Sequence, residues 1–447
     1  RRWRATRANF FEANILIRAI GGFPLPEPRS SGASAGFCRV PNGTPHFEDL
    51  IQRNGGFGAI AKMTEQNPGP SPFSDLPGAL VEEVMQRTDE VGRALLQSFE
   101  HVRSERVTFR TKLQQSGQLG RDTDLEYPPI PSTCAVDGSY AVERLLTTDL
   151  AAAAAVAVEG LTPPSEKRFW EQPRHQVAIE AETHNEATNS VLRGVMMTME
   201  LSLATKAPHD VVFLDGSMTT PVIYLNQSLS QARYAPTLKL SACLRERAKA
   251  ALVSYLEILQ STRADKCWTF CPKYTTNREI GKAMHWPETY DDRGLLTMLL
   301  DAGEFTKPIN LQAPESEWHI NTAAIPEAER KEAHELEEKI TTELKNVVVI
   351  YYKPHAWMPA LRLEVNQAVA LNRSRLAVLL HGVKHQCGTP AILEPFPLYM
   401  ADRMVKSPSR AVPAFRQATT QRIAETYTGS LDEVFYGMHG FRTDAGG

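Results

Sequence analysis

Apolar positions along this chain alternate between helical spacing and short continuous runs, and each change of period marks an element. Leu80, Val84, Val91, Leu95 and Phe99 recur at helical intervals and predict one long helix from Gly78 to about Gln115. Thr133–Val142 reads as a strand. Leu145–Gly160 contains the run Ala151–Ala155, whose intrinsic propensity favours helix. Its place straight after a strand and a short turn favours the second strand of a meander, and we assign it so. His175–Glu182 is a further strand, Glu186–Thr205 a helix and Val211–Leu214 a buried strand. Ser230–Leu259 contains helix, Lys266–Phe270 is a short strand and Pro326–Lys345 a strongly charged helix with a solvated face. Asn346–Tyr352 and Leu361–Val365 are extended, and Asn366–His385 is helical. Strands and helices interleaved in this way predict an α/β fold, a mixed sheet covered by helices.

The segment before this array has a different character. Residues 1–22 read as an amphipathic helix, with Phe10, Phe11, Ile15, Leu16 and Ile20 among arginines. Such a helix packs on the rest of the protein or serves as a partner-binding or dimer-forming arm. Residues 23–80 are rich in Pro, Gly and Ser and predict loop for most of their length. Residues 116–132 form a polar, proline-containing connector. The expected division is a helical and loop-rich N-terminal extension over 1–131 and an α/β domain over 132–447.

Composition narrows the setting. The 447 residues are 42% hydrophobic, enough for a large core, and 52 acidic against 49 basic side chains give a net charge of −3. Overall charge therefore argues neither for nor against nucleic acid, and any such contact must use local basic clusters such as Arg1-Arg2-Trp3-Arg4. Six cysteines do not make a disulfide framework. Cys267 and Cys271 are the one close pair, with no second pair at zinc-finger spacing. No apolar run approaches membrane-spanning length, and no secretory pattern is present, so a cytoplasmic setting is expected.

Candidate chemistry centres on two similar segments, Ala135-Val136-Asp137-Gly138-Ser139 and Phe213-Leu214-Asp215-Gly216-Ser217. Each sets an aspartate directly after apolar, strand-like residues, and a glycine-serine turn is expected to follow. A carboxylate at the end of a buried strand is costly unless a cation meets it, and hard divalent ions take carboxylate oxygens. Asp-Gly turns also simply end strands, but two copies followed by Ser point to function. Between them Glu200 falls on the Leu192–Met196–Glu200 row of the predicted helix, beside Val195, Met199 and Leu203. Glu180, Glu182 and Glu186 are rivals without that apolar context. Three acids on a strand–helix–strand scaffold suggest metal-dependent phosphodiester chemistry.

The ordered set of these motifs resembles the NurA nuclease family. Later segments extend the resemblance over roughly residues 132–410. Cys271-Pro272-Lys273-Tyr274 is similar to the family's lysine-bearing strand end. Tyr351-Tyr352-Lys353 with Leu361-Arg362-Leu363-Glu364 is similar to its C-terminal hairpin. Glu394-Pro395-Phe396-Pro397-Leu398-Tyr399-Met400-Ala401-Asp402 is similar to the proline-led start of its final helix. The resemblance implies an RNase H-like core and a manganese- or magnesium-dependent DNase. It also implies a homodimer that works with a hexameric HerA-type DNA translocase. By motif position Asp137, Glu200, Asp215 and Asp402 would be metal ligands. Asp402 stands where the family often has a histidine; a carboxylate can bind the metal but is not the same neutral acid–base group.

Around these ligands, Lys273 is either a contact to the scissile phosphate or a solvated strand-end lysine. Tyr274 either stacks on a base or fills the core. Arg362 and Glu364, on one face of a strand, are expected to form a structural ion pair. Other signals are weaker. Gly56-Phe57-Gly58 mimics a dinucleotide fingerprint without a βαβ unit around it. His381 and His385, with Cys387 nearby, lack a fourth zinc ligand. No P-loop pattern occurs, so any DNA motor would be another chain. Two alternatives to a nuclease stand at this point: a non-catalytic, DNA-clamping adaptor of the translocase, and an Argonaute-type slicer, for which no guide-anchoring module is evident.

Overall fold

The computed structural model describes residues 75–161, 174–314 and 316–440. The expected helix at 1–22, the loop that follows it and the Gly56-Phe57-Gly58 segment lie outside the described residues. In chain order the elements are α1 (Asp75–Gln115), β1 (Leu119–Arg121), β2 (Thr133–Arg144), β3 (Asp149–Glu159), β4 (Arg174–Glu182), α2 (Thr188–Lys206), β5 (Val211–Asp215), α3 (Thr220–Tyr234) and α4 (Lys239–Gln260). They continue with β6 (Cys267–Cys271), α5 (Glu279–Ala283), α6 (Asp292–Leu299), β7 (Glu304–Thr306), β8 (Ile309–Asn310), α7 (Glu327–Glu343), β9 (Val347–Lys353) and β10 (Leu361–Asn366). The last four are α8 (Gln367–Ala370), α9 (Arg373–Gln386), α10 (Phe396–Thr426) and α11 (Leu431–Gly437). A compact unit runs from Asp89 to Gly447.

The alanine run is a strand despite its helical propensity. Side chains of a strand alternate between the two faces of the sheet. Ala151, Ala153, Ala155 and Ala157 join one apolar cluster with Leu192, Val195 and Met199 of α2. Ala154 and Val156 join another with Leu398, Ala401 and Val405 of α10. Small side chains on both faces let a helix close down on each side of β3, and that tertiary packing overrides local preference.

β2, β3 and β4 form the expected antiparallel meander, while β5 runs parallel to β2 and β6 parallel to β5. This three-plus-two arrangement is an RNase H-like core. β10 and β9 continue the sheet antiparallel from β6, giving the order β1-β7-β9-β10-β6-β5-β2-β3-β4, with β8 paired to β9. The buried side chains of α2, α3 and α4 share one apolar cluster, and those of α8, α9 and α10 another.

Element boundaries differ from the expected ones where proline intervenes. Helix was expected within Ser230–Leu259 and is present there as α4, but not as one piece: α3 starts earlier, at Thr220 with Pro221 in its first turn, and stops at Tyr234 before Pro236. Proline suits a first helical turn but breaks a helix interior. The long helix begins at Asp75, three residues before Gly78. No helix among the described residues is long and apolar enough to cross a membrane.

Candidate metal centre

Parallel pairing brings the two Asp-Gly-Ser segments side by side. Val136 is in register with Leu214, so Asp137 and Asp215 are the next residues on adjacent strands. The expectation of two like turns is corrected. Only the second segment turns: Gly216 has φ +78°, the left-handed conformation that favours glycine. Gly138 continues β2, which runs on to Arg144. Its small size serves packing, since a Cβ there would land on Glu200 Oε1 and lie 2.7 Å from Met196 Cγ.

Ligand oxygens of Asp137, Asp215 and Asp402 lie within 4.8 Å of one another. Each comes from a different element: Asp137 from β2, Asp215 from the end of β5, and Asp402 from the second turn of α10. Asp137 Oδ1 and Asp215 Oδ1 accept the amides of Gly138 at 2.9 Å and Gly216 at 2.8 Å. Lys273, two residues beyond β6, places Nζ 3.2 Å from Asp215, 3.2 Å from Glu394 and 3.7 Å from Asp402. It is paired, not solvated. Tyr274 beside it is 95% exposed, which removes the core-filling alternative.

Glu200 stands behind this group. It is 8% exposed on α2, with its carboxylate against Gly138. Burial, then the charges of Asp137 and Asp215, hold its carboxyl well above the usual range. Asp137 is 7% exposed, and its carboxyl is pushed up to about 7, first by burial and then by Asp215 and Asp402. Crowded carboxylates that resist ionising together are the group a divalent cation relieves. All the donors are hard oxygens, which fit manganese or magnesium. Lys273 responds in the opposite sense: burial opposes its charge, but Asp215, Glu394 and Asp402 outweigh burial and hold it above the usual lysine range.

Below the acids, a buried ion network fixes the second turn. Arg362 on β10, fully buried, pairs with Glu364 at 2.8 Å and with both oxygens of Glu279 at 2.7 and 2.8 Å. Tyr351 shares the same guanidinium at 2.7 Å. Glu364 Oε2 in turn accepts from Ser217 Oγ at 2.6 Å and from the Met218 amide at 2.8 Å. The expected Arg362–Glu364 ion pair is therefore present, and it clamps the turn that follows Asp215.

The remaining candidates disperse. Glu182 accepts the Leu240 amide, Glu180 pairs with Lys239, and Glu186 is exposed. Cys267 and Cys271 are buried in an apolar cluster at opposite ends of β6. Four strand steps separate them by roughly 13 Å, too far for a shared ion. His381 Nδ1 donates to the Pro128 carbonyl at 2.9 Å, while Cys387 is buried in the core. Sequence reasoning missed Glu394, which carries no periodic apolar context. Its one signal is its place directly before Pro395 at the start of α10.

The NurA nuclease from Sulfolobus solfataricus aligns over 78% of this chain and 99% of its own, with 13% identity and a TM-score of 0.52. The chain has a NurA-like fold. A second structure, of NurA with manganese, aligns over 77% of this chain and 99% of its own at 13% identity, with a TM-score of 0.44. No protein-family model and no curated protein matches the sequence. The NurA-like likeness is thus one of fold.

Proposed function

We propose that this chain is a divalent-metal-dependent deoxyribonuclease, acting as exonuclease and endonuclease on single- and double-stranded DNA ends. The observation that carries the reading is the convergence of Asp137, Asp215 and Asp402 within 4.8 Å, with Lys273 beside them. Asp137, Glu200, Asp215 and Asp402 are the residues that would hold manganese or magnesium, all within the module at 132–447. When bound, the ion supplies charge stabilisation for the phosphate and a nucleophile at neutral pH.

The protein's own groups do the rest. Asp215 is aimed by the Gly216 amide, and its turn is held by Glu364 through Ser217 and Met218. Burial of Asp137 and Glu200 strengthens every charge interaction at the centre by excluding water. Lys273 offers a positive charge to a phosphate oxygen, and the exposed Tyr274 ring offers a face on which a base can stack. By the sequence resemblance, the working form is a homodimer that receives DNA from a HerA-type hexameric translocase. Its role is DNA end processing in repair or in defence against phage, in the cytoplasm.

The test is cleavage of end-labelled single- and double-stranded DNA in manganese, with and without the co-expressed translocase. Cleavage that chelation abolishes and manganese restores is the expected result. DNA binding without cleavage under any of these conditions would instead favour the clamping adaptor.

A further inference from the structure

Both oxygens of Asp215 are already engaged. Oδ1 accepts the Gly216 amide at 2.8 Å, and Oδ2 faces Lys273 Nζ at 3.2 Å. The same ammonium lies 3.7 Å from Asp402 Oδ1. Lys273 thus sits on two of the three carboxylates whose oxygens converge, where a divalent ion would need them. Its third partner, Glu394 at 3.2 Å, lies outside that convergent group.

We infer that Lys273 is an internal competitor for the metal centre, and that Glu394 is the positioning residue that receives its ammonium when a divalent ion takes Asp215 and Asp402. The inference rests on the metal-centre reading above and extends it to how the centre is loaded. Like charges at short range repel strongly in a partly buried site. An ammonium displaced by a divalent ion must therefore move away or find another anion. Glu394 is that anion, and it is well placed to stay still. The proline at 395 restricts the backbone of residue 394 to extended conformations, and the carboxylate is only 20% exposed. Without Glu394, Lys273 would rest wholly on Asp215 and Asp402 and oppose metal entry. With it, the ammonium withdraws by a side-chain movement and remains at the rim of the centre, within reach of an incoming phosphate. Asp402 also has Lys406 at 2.9 Å, a more exposed cation four residues on in the same helix.

The experiment is a calorimetric titration of manganese chloride into the full chain, as a double-mutant cycle over Lys273→Met and Glu394→Gln. Lys273→Met should tighten manganese binding about tenfold, because it removes a competing charge from two ligands. Glu394→Gln should weaken binding by about tenfold in the parent and leave it unchanged in the Lys273→Met background, the coupling expected of residues that act through one another. An equal weakening in both backgrounds would make Glu394 itself a ligand and overturn the inference. So would singles that bind like the parent. If Lys273→Met does not fold, Lys273→Gln takes its place in the cycle. Failure of the parent to bind manganese at all would overturn the metal-centre reading along with it, whereas binding without coupling would overturn only the present inference.

Discussion

Replacing Asp137 by asparagine should reduce DNA cleavage by about a thousandfold or more, while making the metal-free protein more stable above pH 7. The two effects share one cause. Asp137 is buried against Asp215 and Asp402, and its carboxyl is pushed up to about 7. In the unfolded chain an aspartate titrates near its ordinary value, about 3.9. Between those two values the folded state holds the extra proton, so stability falls as pH rises through the window and the loss is complete above pH 7. The penalty is on the order of a few kcal/mol. Asparagine keeps the shape and carries no charge, so it removes that penalty and the ligand together. Thermal melts in chelator at pH 5 and pH 8, beside single-turnover cleavage in manganese, test both halves. An asparagine variant that melts no higher than the parent at pH 8 would mean that the carboxylates are not in electrostatic conflict. One that cleaves at the parent rate would remove Asp137 from the centre.

Replacing Arg362 by leucine should cost about 3–5 kcal/mol of folding stability, because it strands two buried carboxylates without their partner. Glu279 and Glu364 both turn to that guanidinium, and none of the three side chains is more than 2% exposed. Arg263, which pairs with Asp265 at 2.7 Å on the surface, is the natural control. Its replacement should cost no more than about 1 kcal/mol, since solvent screens exposed pairs. Denaturant unfolding of the two variants measures the difference. The Arg362 variant should also lose activity, since Glu364 would no longer be held where it accepts Ser217 and Met218. Equal destabilisation of the two variants would mean that the buried network is not what fixes the turn after Asp215.

Much of the centre was legible because its acids interrupt apolar patterns. Asp137 and Asp215 end runs of buried residues, and Glu200 breaks an otherwise apolar helical row. Lys273 and Asp402 could be assigned only through the family resemblance, since nothing in their own neighbourhoods marks them. Glu394 stood in the sequence only as the residue before Pro395: its contact with Lys273 exists because folding brings the start of α10 against the end of β6. Gly138 was misread for a related reason. An Asp-Gly pair looks like a turn locally, but at this position the absent side chain makes room for Glu200. The alanine strand was read correctly only by setting its position in the meander above its propensity. α5, α6, β7 and β8 span eight residues or fewer, too short to carry a clear period, and they entered only with the structure.

The most direct test of the central claim is anomalous X-ray scattering from crystals of this protein soaked in manganese. The account predicts a manganese peak bounded by the carboxylates of Asp137, Asp215 and Asp402, with Glu200 beside it. A peak elsewhere with Asp215 and Asp402 still paired to Lys273, or no peak at saturating manganese, would contradict it.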